Sequence, residues 1–346
     1  MSRRGGLAIF AMFVLVSACT GRSHQTTDRG AGPNPSIATI PISYLNVTGI
    51  ALSPDGTRAY AIGSGELWVV DTVSQSVTNH IRIAHLPFNV AVSSDGTTMY
   101  VVPLFGDIVT VLDSSGTILK TIDIGTTPKM PMGQPAFAVP VHGHSIYITN
   151  PGTDKVHEID TTTQTLAHTI ALPINPHAIA ATPDGDRVFV AGCTGVCSSG
   201  SIVVLQSDAP VRTLATIRGA PQGMTFAPAA GLLYVTTGQD IQVINAETGT
   251  SVGSVAGQFG SSITVATSGT FLCTHGGPEQ GSESRISLID TRTLAITTTL
   301  PLPAAFGLAI SPDEHVAYVP SGGTVAIVDL QRLQAPPTGT RTAESQ

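Results

Sequence analysis

Charge is scarce in this chain. Asp, Glu, Lys and Arg make up 11% of 346 residues, and the lysines are three: Lys120, Lys129 and Lys155. With a net charge of −7, there is no basic surface of the kind that neutralises a phosphate backbone, which excludes nucleic acid as a partner. Tryptophan occurs once, as Trp68. Cysteine occurs four times, too rarely for a disulfide-built scaffold. The longest apolar run, Leu7 to Val16, is too short to span a membrane as a helix. Beyond residue 36 no stretch carries a helical hydrophobic period, so no helix is expected there.

What is present is a unit that recurs about every forty residues, seven times. The first copy runs Gly49 to Gly56 through Ser53-Pro54-Asp55-Gly56, then Ala59-Tyr60-Ala61-Ile62, then Leu67 to Asp71. The aromatic that leads the second element returns as Tyr100, Tyr147, Phe189, Tyr234, Phe271 and Tyr318. The third element ends at Asp113, Asp160, Gln206, Asn245, Asp290 and Asp329. A fourth alternating segment, such as Thr121-Ile122-Asp123-Ile124, separates the copies. β-branched richness, alternation and Pro-Asp-Gly turns read as short strands. Four antiparallel strands repeated seven times predict an all-β, seven-bladed β-propeller over residues 37–334. The last copy stops after its third strand, while Ala38-Thr39-Ile40-Pro41-Ile42 supplies an unused strand at the other end. The ring is expected to close by pairing that N-terminal strand with the C-terminal blade, leaving no open edge. Pro41 suits an outermost strand, which tolerates a missing donor.

These repeats resemble the YVTN-repeat family of β-propellers, the YncE-like proteins. Tyr147-Ile148-Thr149-Asn150 is close to the naming motif and Tyr234-Val235-Thr236-Thr237 is a looser copy. Pro176-His177-Ala178-Ile179-Ala180, running into Thr182-Pro183-Asp184-Gly185, looks like the family's inner-strand consensus. WD-type repeats carry a Trp per blade and quinone-cofactor dehydrogenase propellers lean on Trp docking motifs, so Trp68 alone fits neither. The resemblance implies a fold; the family's roles are varied, so function must come from a site.

The amino terminus reads as an address. Arg3 and Arg4, the apolar run and Val16-Ser17-Ala18-Cys19 form an export signal over residues 1–18 that resembles a bacterial lipobox. On that reading Cys19 carries lipid, and the mature chain is held outside the cytoplasm at the cell membrane. The alternative is an ordinary signal peptide with a chance Cys. Residues 19–36 are polar with Gly and Pro and read as a flexible tether, and residues 335–346 as a disordered tail. Loss of residues 1–18 leaves 14 basic against 23 acidic residues, a net charge of −9. An exported setting permits a Cys193–Cys197 disulfide across the loop 192–201, two unpaired thiols being the alternative. Cys273 reads as a small buried strand residue.

Chemistry-bearing patterns mostly dissolve into the repeat. Gly249-Thr250-Ser251-Val252-Gly253 matches a serine-hydrolase nucleophile elbow, but it falls between the third and fourth strands of a blade and reads as a hairpin turn. His142-Gly143-His144 lies in a turn with no acid or Cys to complete a metal set. The recurrent Asp71, Asp113, Asp160, Asp290 and Asp329 read as turn caps. Departures from the repeat mark one loop face: residues 125–135 with Lys129, the Cys loop, and residues 274–284 with His275, Glu279 and Glu283. Thr48, Phe88, Pro135, His177, Gln222, Ser261 and Phe306 should ring the central opening on that face. The candidate ligand-binding residues are therefore Phe88, Lys129, His177, Gln222, His275 and Phe306, with no catalytic or metal residue and no cofactor expected. The preferred function is a non-enzymatic binding or scaffolding module for a protein, peptide or glycan. The runner-up is a lactonase-like hydrolase or isomerase using the opening.

Overall fold

A computed structural model describes residues 37–42, 47–83, 86–104, 108–125, 135–195, 197–206, 209–266, 268–276, 284–302 and 307–334; of 271–276 and 334 it describes the backbone alone. The described strands form seven four-stranded antiparallel sheets, the blades of a β-propeller. In the first sheet the strands run Val47–Leu52, Arg58–Gly63, Glu66–Asp71 and Ser76–Arg82, neighbours in space as in sequence. The other sheets repeat this meander. The last is built from Ala309–Ile310, Val316–Ser321 and Thr324–Asp329, and its fourth strand is Ile37–Pro41 from the other end of the chain. There Ile37 pairs with Val328 and Pro41 with Thr324. Pro41 sits on the outside of the sheet, where no further strand needs its missing N–H.

The apolar inner strands and the polar outer strand have a direct cause in this packing. Second and third strands are covered on both faces by adjoining sheets, and Arg58–Gly63 and Glu66–Asp71 are buried almost throughout. The outermost strand, Ser76–Arg82, is exposed along nearly all its length, so it is rich in Ser, Thr, Asn and His. The recurrent aromatic is the wedge between sheets. Tyr60 and Tyr100 are fully buried, and each packs into the cluster shared with the following sheet. The Tyr60 hydroxyl donates to the Ser114 carbonyl of that sheet at 3.2 Å. Seven apolar clusters among the described residues lie between successive sheets, and one of them joins Ile40, Val325 and Ile327 of the last sheet to Trp68 and Val70 of the first.

One element departs from expectation. Leu330–Gln334 is a short helix where none was foreseen. Asp329 caps it, accepting the Arg332 N–H at 3.0 Å. Leu330 is fully buried and Leu333 packs on the cluster between the last two sheets. A five-residue turn is too short to show a hydrophobic period, so packing rather than propensity makes it. The Cys loop is also shorter than read: Cys193 ends the strand Arg187–Cys193 and the next begins at Ser199.

A candidate ligand-binding cavity on the propeller axis

The innermost strands converge on a cavity of about 430 Å³. Thr48, Phe88, Pro135, His177, Gln222 and Ser261 all line it. Backbone irregularity explains how three of them reach it. In the first sheet Val47 pairs with Gly63 and Gly49 with Ile62, so Thr48 is skipped. Phe88 is skipped likewise between Pro87 and Asn89, and His177 between Pro176 and Ala178. A bulged residue leaves the ladder and its side chain is re-aimed. Thr48 uses this freedom to donate to the Phe88 carbonyl at 2.8 Å, tying the first sheet to the second. Around the ring the backbones nearly touch. A Cβ on Gly223 would stand 2.0 Å from the Ser261 carbonyl oxygen.

Antiparallel pairing also fixes which loops share the mouth. The start of each innermost strand faces the end of the second: Asn175 pairs with Cys193, and Ser262 with His275. The loop after the second strand therefore opens beside the cavity entrance. In the fourth sheet that loop holds a disulfide between Cys193 and Cys197. The Cys193 Sγ lies 3.6 Å from His177 Nε2. His177 also bonds the Pro221 backbone carbonyl, yet burial dominates and holds its pKa below the ordinary value.

Among the described lining residues His177 is the one titratable side chain. The rest are apolar (Phe88, Phe137, Ile179, Ile263) or neutral and polar (Thr48, Asn89, Gln222, Ser262). A convergent set of acid, base and nucleophile is not brought together among them; such sets mark catalytic pockets. Of the other sequence candidates, Cys19, Lys129, Glu279, Glu283 and Phe306 lie outside the described residues. His275 belongs to the strand Phe271–Gly276, with its side chain outside the described part, as is that of Cys273.

The recurrent aspartates cap turns. Asp113 accepts the N–H groups of Ser115 and Thr117, both at 2.9 Å. Asp160 accepts those of Thr162 and Thr163, and Asp290 those of Arg292 and Thr293. Asp113 also accepts from the Ser115 hydroxyl at 2.6 Å. That bond first for Asp113, and the backbone bonds first for Asp160 and Asp290, pull the three carboxyls below their usual pKa. Ser251 begins an ordinary strand, Ser251–Ala256, and Gly249 closes a turn onto the Asn245 carbonyl at 2.9 Å. His142 and His144 are exposed in their turn.

A second pocket, of about 380 Å³, was not foreseen. It lies where the third sheet meets the fourth. Glu158 there accepts from Ser145 Oγ at 2.6 Å and Tyr147 OH at 3.1 Å, and its other oxygen is 2.9 Å from His168 Nδ1. Burial, reinforced by Glu158, pushes the Tyr147 phenol up to about 12. Register makes this group, since Tyr147 pairs with Glu158 and Glu158 with His168. Aligning the three strands by pairing would have exposed it.

The fold and its axial cavity define a β-propeller of four-stranded antiparallel blades. Among solved structures a chain of the Kuenenia stuttgartiensis hydrazine synthase is similar, with a TM-score of 0.71 at 17% identity over 87% of this chain and 98% of that one. At that identity the likeness concerns the fold alone. No protein-family profile matches the chain, and no curated protein matches it in sequence.

Proposed function

We propose that this chain is a lipid-anchored, extracytoplasmic, seven-bladed β-propeller of the YVTN type. It acts as a binding or scaffolding module, receiving a protein segment, peptide or glycan at the mouth of its axial cavity. The observation that carries the reading is the make-up of that cavity. A concave site of about 430 Å³ lined by apolar and neutral polar groups, with His177 its one described titratable side chain, suits recognition by shape and hydrogen bonds. Among the described lining residues no carboxylate, lysine or tyrosine stands beside His177 to complete an acid–base pair. The lipobox-like Val16-Ser17-Ala18-Cys19 supports the anchor, and the Tyr147 to Asn150 motif supports the family.

The test is capture in intact cells, with a photoreactive residue placed at Gln222, which is exposed at the cavity rim. A discrete crosslinked partner is expected. Replacing Phe88 and His177 together by Ala should reduce its yield severalfold while the melting temperature stays within a few degrees. Undiminished crosslinking in that variant would move the interaction off the cavity. Radiolabelled palmitate should be incorporated into the wild type and not into Cys19→Ser.

A further inference from the structure

We propose that Cys193, Cys197 and His177 form a redox-gated Zn²⁺ site at the cavity mouth, closed while the cysteines are bridged and created when they are reduced. The ligand atoms of these three residues lie within 4.8 Å of one another. Two cysteines four positions apart, with a histidine brought in from the neighbouring strand, is a donor set that takes tetrahedral zinc. The distances fit it. With Zn–S of about 2.3 Å and Zn–N of about 2.05 Å, the S···N edge of a tetrahedron is roughly 3.6 Å. His177 Nε2 stands 3.6 Å from Cys193 Sγ.

The placement of the two sulfurs points the same way. Cys193 is held by the sheet, opposite Asn175, whereas Cys197 sits in the connecting loop beyond Gly195, whose φ is +62°. One sulfur is thus held by the sheet, and on reduction the other has only to shift from bonding distance to the S···S edge of roughly 3.8 Å that such a site requires. Three protein ligands leave a fourth position for water or a small donor, and His177 lines the cavity.

The chemistry balances with a dithiol reductant of the thioredoxin class. The S–S bond breaks, two electrons and two protons pass to Cys193 and Cys197, and the reductant leaves as its own disulfide. Zn²⁺ then displaces the two thiol protons to solvent while neutral His177 supplies its lone pair.

The full chain, oxidised or reduced with a phosphine, should be titrated with Zn²⁺ against a chromophoric chelator, thiols being counted in parallel. One equivalent should bind the reduced protein at least a hundredfold more tightly than the oxidised, with release of about two protons. Co²⁺ in its place should give a thiolate-to-metal charge-transfer band. Cys193→Ser and Cys197→Ser should abolish uptake, Cys273→Ser should retain it, and His177→Ala, which leaves the bridge intact, should weaken it at least tenfold. The proposal is overturned if the fully reduced wild type, folded by circular dichroism, takes up no stoichiometric Zn²⁺. Uptake unaffected by the cysteine substitutions, or by His177→Ala, also overturns it. None of these readouts depends on the partner captured at the cavity, so this site and the binding function fail separately.

Discussion

At the scale of single residues, the molecule is most sensitive where backbones meet. The missing Cβ of Gly223 lets two innermost strands approach, and the obstacle in its way would be the Ser261 carbonyl, not a side chain that can rotate aside. Gly223→Ala should cost about 1–3 kcal/mol or more, the range of overpacking, seen as a lowered denaturant midpoint. His157 is a different kind of residue. It is buried, with Nδ1 against Thr169 Oγ1 at 3.1 Å, and desolvation pulls its pKa down to about 4, with Lys155 adding to the effect. The unfolded chain binds a proton near pH 6.5 that the folded chain refuses until about pH 4, so stability is present above 6.5 and falls as pH drops between the two values. Each unit is worth about 1.4 kcal/mol, and partial hydration reduces that. Unfolding followed at pH 7 and pH 5 should show the loss, and His157→Gln should abolish that part of it. His177 was readable from sequence as a pore residue because it sits at a repeat position. Its proximity to Cys193 was not, since a bulge that skips one residue leaves no compositional trace.

The element that repeats most faithfully is the turn. Asp55, Asp95, Asp184 and Asp313 each accept the N–H of the residue two places on. Hydrogen bonds from a Ser or Thr hydroxyl come first among the causes that hold all four below the usual carboxylate pKa. Here the sign is the ordinary carboxylate one: the stabilisation is complete above the unfolded value of 3.8 and disappears as pH falls through the lowered folded values. A further, steep loss of stability below pH 4 is expected, and replacing these four by Asn should reduce it. A profile flat through that range would sink the idea that these turns matter. Strands and turns were legible because each carries its own chemistry: alternation, a leading aromatic, Pro-Asp-Gly. The helix Leu330–Gln334 was not, because an element so short is set by its neighbours. The Tyr147–Glu158–His168 ladder was missed for the same reason, being a property of pairing across strands.

On the scale of the whole molecule, the last sheet is completed by a segment from the far end of the chain. Removing residues 37–42 would strip Ile40 and Ile42, which are 2% and 4% exposed, at roughly 1.5–3 kcal/mol each. It would also open the ladder of Thr324–Asp329 to other chains. The truncated protein should melt markedly lower and elute as larger species; unchanged melting and elution would show that the seam does not hold the ring. The repeat made this architecture readable, and repetition is also why the ligand was not: a site lies in what the copies do not share, and those loops carry little pattern of their own. The same seam dictates an order of events during biosynthesis. Ile37 is synthesised well before Val328 and must wait for it before it has anything to bind. Its apolar residues stay unsheltered until that partner is made, so a chaperone that masks this segment in the interval should raise the yield of native protein.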